Sequence, residues 1–152
     1  IVGVEVSSVS LARADEKLER LPELQRARIK LLQGALIYRD QRLRGFDAAA
    51  LVEVIEHVEP ERLDHLERAG FADAQPKAVI VTTPNADYNA LFPTLPAGQF
   101  RHADHRFEWT RAEFEVWCTR IGEAFGYGWT TEPLGPLDET HGAPSQMAVF
   151  TR

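Results

Sequence analysis

The sequence predicts an α/β domain with a mostly parallel sheet and an antiparallel hairpin at one edge. Apolar runs typical of strands alternate with helical segments through the first two thirds of the chain. The last two strand candidates have no helix between them, which favours a hairpin. The chain has 152 residues, 44% hydrophobic and 26% charged, so we expect one globular domain with its own core.

Six short apolar runs, rich in β-branched residues, predict the strands of this sheet. Ser7 and Ser8 follow the first run and can cap a helix. Gly34 interrupts the second run, and Gly45 leads into the third. The six runs span 1–6, 29–36, 48–52, 78–82, 127–132 and 146–151.

Three segments between the strands predict helices. Apolar residues at helical spacing among charges indicate a helix over about 9–21. A charged helix is expected over about 60–74. The third helix, over about 111–124, begins with a capping box that pairs Thr110 with Glu113.

The charge and the cysteine content exclude several classes of protein. A formal charge of -6 disfavours a protein that coats nucleic acid through net charge, although it leaves a local nucleic-acid site open. Cys118 is the only cysteine, so no internal disulfide forms and a reducing, cytoplasmic location is expected. We find no apolar run of membrane-span length and no signal peptide, and expect no membrane partner.

Small or polar residues follow the predicted strands at the edge where open parallel sheets bind ligands. Glu5, after the first strand, could accept both hydroxyls of a ribose or could be an ordinary exposed acid. Asn85 and Tyr88 follow the fourth strand and open a long loop over 83–108. This polar turn could contact substrate, or it could be an Asx turn without a ligand.

Three potential metal ligands lie within five residues, directly after the third strand. Glu53, Glu56 and His57 combine carboxylate oxygens with an imidazole, a set that suits Mg²⁺, Mn²⁺ or Zn²⁺. A set of three protein ligands leaves coordination positions open, as a catalytic metal requires. The alternative is a charged helix face at the surface.

A second group of histidines lies in the long loop. His102 or His105 could complete a mixed glutamate and histidine site. Asp104 or Glu108 could then accept the proton on the other ring nitrogen of that histidine. The alternative is a charged loop whose histidines lie at the surface.

The same stretch combines local positive charge with aromatic rings. Arg101, Arg106 and Arg111 are interleaved with Phe107 and Trp109. Cations and flat rings together favour binding of a single-stranded nucleic-acid end. Alternatively, the two rings anchor the core at the start of a helix.

Taken together, these segments resemble the HEN family of small-RNA 3′-terminal ribose 2′-O-methyltransferases, in particular its bacterial RNA-repair branch. The resemblance runs along essentially the whole chain, and the combination of the second and fourth segments is its specific part. The segments are Gly-Val-Glu-Val-Ser at 3–7, Glu-Val-Ile-Glu-His at 53–57, Thr-Thr-Pro-Asn-Ala-Asp-Tyr-Asn at 82–89, Arg-His-Ala-Asp-His-Arg-Phe-Glu-Trp-Thr-Arg at 101–111 and Ser-Gln-Met-Ala-Val-Phe at 145–150.

The resemblance implies a Rossmann-like methyltransferase sheet and a Mg²⁺ or Mn²⁺ site. His105, and not His102, matches the histidine of the family's Asp-His-x-Phe-Glu-Trp segment. The implied metal-binding and catalytic set is Glu53, Glu56, His57 and His105.

The resemblance also implies S-adenosylmethionine as cofactor. Glu5 matches the acid that binds the cofactor ribose, and Gly34 with Ala35 matches a position near the adenine. Relatives often carry serine in place of Ala35, so a side-chain hydrogen bond would be lost here. The family's glycine-rich loop precedes the position of Ile1, so we expect a partial domain over 1–152 that begins at the second strand of the sheet. Such a domain should bind the cofactor weakly or not at all.

The implied reaction is metal-dependent methyl transfer to the 2′-OH of the 3′-terminal ribose of RNA. A cation bound to both the 2′ and 3′ oxygens would stabilise the developing alkoxide and select RNA ends. The implied partners are an RNA 3′ end and a polynucleotide kinase-phosphatase RNA-repair protein. Alternatives are a metal-dependent phosphoester hydrolase and a non-catalytic fragment. The candidate RNA contacts are Asn85, Tyr88, Arg101, Arg106 and Arg111.

Overall fold

The strands of this protein divide between two sheets in the computed structural model, which describes residues 1–96 and 98–152. A parallel pair, β1 with β2, forms a two-stranded sheet, and a four-stranded sheet has the order β3-β4-β6-β5. Residue 97, inside the predicted loop 83–108, lies outside the described residues. The strands are β1 (Val2–Glu5), β2 (Lys30–Gln33), β3 (Ala48–Val52), β4 (Ala78–Pro84), β5 (Gly128–Leu134) and β6 (Ser145–Thr151).

The larger sheet confirms the α/β class and the antiparallel C-terminal pair. β3 runs parallel to β4, with Ala48 opposite Ala78. β6 lies between β4 and β5 and is antiparallel to both, so β5 forms the sheet edge. Gln146, Ala148 and Phe150 alternate along β6 and are all buried, as the period of two in a strand requires on a covered face.

The two sheets share no hydrogen-bonded strand pair among the described residues, whereas one continuous sheet was predicted. β1 and β3 each have one hydrogen-bonded neighbour, β2 and β4 respectively. Alternation of strands and helices predicts parallel pairing but does not specify which pairs join into one sheet.

Helices begin close to where the sequence predicts them. The Ser7 hydroxyl caps α1 (Ser8–Leu18) by accepting from the Ser10 amide at 3.2 Å. The capping box of Thr110 and Glu113 is formed at the start of the last helix. The predicted helix over 60–74 is instead a series of a 3₁₀ turn, an α-helix and a π-helix. The remaining helices are α2 (Glu23–Arg26), α3 (Leu63–Glu67) and α4 (Arg111–Phe125), with a π-helix at Arg68–Ala74 and 3₁₀ turns at Gln41–Leu43, Ile55–His57, Pro60–Arg62 and Ala86–Leu91.

An aromatic core joins the larger sheet to the helices packed on it. Phe71 lies at its centre and contacts four rings, those of Trp117, Phe125, Tyr127 and Phe150, at centroid distances of 5.1 to 6.5 Å. Phe150 lies opposite Val79 near the amino end of β4, whereas the candidate site is built from the carboxyl ends of β3 and β4. Within the described residues, no helix is long and apolar enough to cross a membrane.

Candidate functional site

Three candidate ligands converge where β3 ends and the histidine-containing loop crosses it. The backbone amide of Arg106 donates to the Glu56 carbonyl at 2.7 Å, which brings the loop against the 3₁₀ turn after β3. As a result Glu56, His57 and His105 each direct one ligand atom into a common space, and these atoms lie within 4.8 Å of one another. This separation allows one cation to bind all three side chains.

Glu56 is fully buried and only partly hydrogen-bonded. Its Oε2 accepts from the Thr83 hydroxyl at 3.0 Å, while no described residue donates to its Oε1. Burial raises the pKa of this carboxyl, and the neighbouring Glu53 charge raises it further. An unpaired buried carboxylate oxygen costs free energy, which a bound cation would recover.

In both His57 and His105, the Nδ1 atom faces an oxygen of the histidine-containing loop. His57 Nδ1 lies 3.3 Å from the Asp104 carbonyl, and His105 Nδ1 lies 2.5 Å from Glu108 Oε1. A carbonyl or a carboxylate only accepts, so Nδ1 is the donor in each ring, and in the neutral imidazole this leaves the Nε2 lone pair free. The two rings meet edge to face, 4.8 Å apart between centroids.

His102 lies near these rings but is engaged differently. Its centroid is 5.6 Å from that of His105, and its Nδ1 accepts from the Asp104 amide at 3.1 Å. The side chain is exposed, unlike that of His105. The structure therefore places His105 within the cluster and His102 at its rim.

The fourth predicted ligand, Glu53, is turned towards β4. Its carboxylate accepts from the Thr82 hydroxyl at 2.9 Å, and its amide donates to that hydroxyl oxygen and to the Thr82 carbonyl, each at 3.1 Å. The backbone of Glu53 is left-handed, with φ of +52°, a strained conformation that is common at functional sites. Glu53 lies close enough to influence Glu56 electrostatically, but its role as a ligand stays a prediction.

Thr82 and Thr83 have supporting roles that the sequence did not reveal. Both lie near the carboxyl end of β4, and both are buried. Their hydroxyls hold Glu53 and Glu56 respectively, so one dipeptide orients two carboxylates. The available signal was a pair of hydroxyl residues at the carboxyl end of a strand, a pattern that by itself suggests only contact with substrate.

The candidate cofactor residues lie together at the ends of the two-stranded sheet. The Gly34 amide donates to the Glu5 carbonyl at 3.1 Å, and the Glu5 carboxylate accepts from the Ser7 amide at 2.8 Å. A Cβ at Gly34 would lie 3.2 Å from a methyl group of Val4, so glycine permits this close approach. Ala35 follows and is half-buried. Their cofactor role stays a prediction.

Asn85 corrects the predicted set of RNA contacts. It is 1% exposed, and its amide nitrogen donates to the carbonyls of His141 and Ala143 at 2.8 and 2.9 Å. Its Oδ1 accepts from the Asp87 amide at 3.0 Å, which forms the Asx turn considered as the alternative. With these bonds made and its surface covered, Asn85 anchors the β5–β6 loop and has no free donor for RNA.

Arg101 is a second correction, because its guanidinium points into the protein. It donates to Asn89 Oδ1 and to the Pro144 carbonyl, each at 2.5 Å, and to the Asn85 carbonyl. Burial lowers the pKa of this side chain. Arg101 therefore fastens the histidine-containing loop to β4 and β6, and its guanidinium is occupied by protein acceptors.

The other three candidate RNA contacts remain at least partly accessible. Arg106 is exposed and pairs with Glu59 at 2.7 Å, and Arg111 pairs with Asp87 at 3.0 Å. Tyr88 is half-buried. Exposed ion pairs are weak, so phosphate could displace either carboxylate. RNA binding by these three residues stays a prediction.

The positions of the two aromatic residues of the loop favour a role in the core over a role in RNA binding. Phe107 is 9% exposed and belongs to the hydrophobic core, and Trp109 packs against that core. Their centroids are 4.3 Å apart. The two rings therefore help to hold the loop in place.

Comparison with known proteins places this chain in a family. No protein-family profile matches the chain. It is 39% identical to the small RNA 2′-O-methyltransferase of Xenopus tropicalis, over 100% of this chain and 43% of that protein. The chain spans less than half the length of the curated relatives it matches.

Solved structures give the same assignment. The methyltransferase domain of bacterial CtHen1 is 45% identical, with a TM-score of 0.88, over 100% of this chain and 77% of that chain. The Pnkp1/Rnl/Hen1 RNA repair complex contains a chain 22% identical, with a TM-score of 0.66, over 99% of this chain and 31% of that chain, a similarity that shows the fold alone. Identity and coverage together show that the chain belongs to the Hen1 family of small-RNA methyltransferases.

Proposed function

We propose that this domain transfers the methyl group of S-adenosylmethionine to the 2′-OH of the 3′-terminal ribose of RNA. One observation carries the proposal: the buried Glu56 carboxylate, whose Oε1 accepts from no described residue, lies beside the imidazoles of His57 and His105. Relatives named small RNA 2′-O-methyltransferases support the reaction class.

The residues present fit a divalent cation, Mg²⁺ or Mn²⁺. Glu56, His57 and His105 would hold it, and we propose that Glu53 joins them by turning away from Thr82. Mixed carboxylate and imidazole donors suit such a metal. When bound, the cation would act as a Lewis acid that lowers the pKa of a ribose hydroxyl.

The protein's own groups would position the reactants. Thr83 holds Glu56 in place through a hydrogen bond. The Asp104 carbonyl and the Glu108 carboxylate accept from the Nδ1 atoms of His57 and His105 and so fix the orientations of the two rings. Preorganised ligands lower the entropy cost of binding a terminal ribose in one geometry. We propose that Glu5 with Gly34 and Ala35 binds the cofactor's adenosine at the neighbouring strand ends.

A methyl-transfer assay tests this function. The substrates are one RNA oligonucleotide with a 3′-terminal ribose and the same oligonucleotide ending in a 2′-deoxyribose, with Mn²⁺ or a chelator. We expect methyl transfer only to the RNA with the 3′-terminal ribose, and only when Mn²⁺ is present. Glu56→Ala should reduce the rate about 100-fold or more, since a bound metal contributes several kcal/mol. Equal transfer to the deoxy end would exclude the proposal.

Glu123→Gln is the matched control, because Glu123 is an exposed acid of α4. It should leave the rate unchanged. The same metal ligands also suit a phosphoester hydrolase, so release of phosphate without a methyl donor would favour that alternative. No activity and no metal binding in the intact protein would favour a non-catalytic role.

We further propose a cytoplasmic RNA-repair setting, with a polynucleotide kinase-phosphatase as partner. The support is the Pnkp1/Rnl/Hen1 RNA repair complex, which contains a chain of the same fold. Co-sedimentation of the intact protein with such a partner tests it, and independent sedimentation at micromolar concentration would contradict it.

A further inference from the structure

We propose that Glu108 is a positioning residue that sets the orientation of His105 for metal binding, with Asn89 and Arg101 as its support. This inference rests on the proposed function, because it assigns how one ligand of that site is held. It also gives Arg101 a role in place of the RNA contact predicted from the sequence.

The contact between Glu108 and His105 is short and shielded from solvent. Glu108 Oε1 lies 2.5 Å from His105 Nδ1, and the two side chains are 0% and 9% exposed. Because the carboxylate can only accept, it fixes the proton on Nδ1 and leaves the Nε2 lone pair for the metal. Burial excludes competing water from this hydrogen bond.

Glu108 is itself held by two further donors. Its Oε1 accepts from the Arg101 amide at 2.7 Å, and its Oε2 accepts from Asn89 Nδ2 at 2.6 Å. With His105, three donors from three different positions therefore meet on one carboxylate. Such a carboxylate cannot rotate without breaking at least one of these bonds.

The orientation of Asn89 is determined by Arg101. The Arg101 guanidinium donates to Asn89 Oδ1 at 2.5 Å, so the amide nitrogen must face Glu108. The same guanidinium donates to the carbonyls of Asn85 and Pro144, just after β4 and just before β6. The hydrogen bonds that link Arg101, Asn89, Glu108 and His105 thus have one possible direction each, because the guanidinium only donates and the carboxylate only accepts.

This polarity makes a paired exchange of amide and carboxylate the decisive test. In Glu108→Gln, the new NH₂ group faces the NH₂ of Asn89, so two donors oppose each other. In Asn89→Asp, two carboxylates oppose each other. In the double variant N89D/E108Q, the new carboxylate at position 89 can accept both from Arg101 and from the new amide at position 108. The carbonyl oxygen of that new amide still accepts from His105.

Manganese titration of the intact protein by calorimetry, with Co²⁺ absorption spectra as a second readout, measures the effect. Each single substitution should weaken Mn²⁺ binding about 10- to 100-fold, and the double variant should recover most of the loss. The ligand-field bands of bound Co²⁺ should change in Glu108→Gln and return in the double variant, which a purely structural role would not produce. Glu123→Gln is the control and should match the wild type.

The outcomes separate this inference from the proposed function. If the wild type binds Mn²⁺, His105→Ala loses binding and Glu108→Gln binds normally, the positioning role is wrong and the metal site stands. If the wild type binds no Mn²⁺, the proposed metal site fails and the inference fails with it. If Glu108→Gln unfolds, the folded double variant decides. An affinity for Mn²⁺ close to that of the wild type supports the positioning role of Glu108, and an affinity as weak as that of His105→Ala overturns it.

Discussion

At the scale of single residues, Asn85 shows how hydrogen-bond direction determines a role. Its amide donates to two backbone carbonyls, those of His141 and Ala143. Asn85→Asp keeps the shape but replaces the donor with a third acceptor. We expect the free energy of unfolding to fall by about 2 kcal/mol or more, measured by urea denaturation.

The control for this prediction is Arg106→Gln, which removes an exposed ion pair with Glu59. It should change the free energy of unfolding by less than about 1 kcal/mol. If Asn85→Asp were as stable as the wild type, the anchoring role of Asn85 would be wrong, and contact with RNA would again be open.

Cys118 shows at the same scale how burial suppresses the reactivity of a side chain. Burial raises the pKa of its thiol to about 12 from the ordinary value of 9.0. Only the thiolate is nucleophilic, so a thiol reagent at about pH 8 should not modify the native protein and should modify it after denaturation. Rapid modification of the native state would contradict the packing.

The same shift has a consequence for stability at high pH. Above pH 9.0 the thiol ionises in the unfolded chain but not in the folded one, so the folded state loses stability as the pH rises from 9.0 towards 12. Comparing wild type with Cys118→Ala isolates this effect. Over that pH range the wild type should lose stability relative to Cys118→Ala. A stability difference that stays constant with pH would contradict this prediction.

At the scale of elements, a glycine fixes the distance between α4 and β5. A Cβ at Gly122 would lie 2.7 Å from the Tyr127 carbonyl oxygen and 3.0 Å from the Trp129 ring. Gly122→Ala should therefore lower the free energy of unfolding by about 1–3 kcal/mol, even though alanine favours helices. Thermal denaturation measures the difference.

Gly70 provides the matched control within the π-helix. A Cβ there would meet no atom within 4 Å. Gly70→Ala should be neutral or stabilise the protein by up to about 1 kcal/mol. Equal loss of stability in both variants would show that the close approach of α4 to β5 does not determine the result.

At the scale of the whole molecule, the two sheets differ in how they are stabilised. In β1 and β2 only Leu32 is buried, and α1 contributes no buried residue. β4 and β6, by contrast, lie in the middle of the larger sheet and carry core residues. A two-stranded sheet with little burial is marginally stable.

We expect the two-stranded sheet to open locally before the larger one. Backbone amides of β1 and β2 should exchange with deuterium about tenfold or more faster than those of β4 and β6, equivalent to about 1.4 kcal/mol or more in opening free energy. Hydrogen exchange of the intact chain measures this, with β3 as an internal reference from the larger sheet. Uniform protection would show that the two sheets unfold as one unit.

Much of the fold could be predicted because its signals are local. Apolar runs indicated the strands, and the Thr110 and Glu113 pair located the start of α4. The helix predicted over 60–74 was less accurate, because charge pattern indicates a helix without distinguishing α from 3₁₀ or π geometry. The close sequence spacing of Glu56 and His57 likewise indicated a metal site, whereas only family resemblance selected His105 from the two histidines of the loop.

What the sequence by itself determined is the set of chemical groups and the strand ends that carry them. Candidate metal ligands are recognisable because their chemistry depends on residue type and local spacing; here they are Glu53, Glu56, His57 and His105. Only the tertiary structure decided which way the polar side chains point. Asn85 and Arg101 became anchors, and Glu108 became the partner of His105, because their acceptors and donors come from other segments and burial removes the alternative of water.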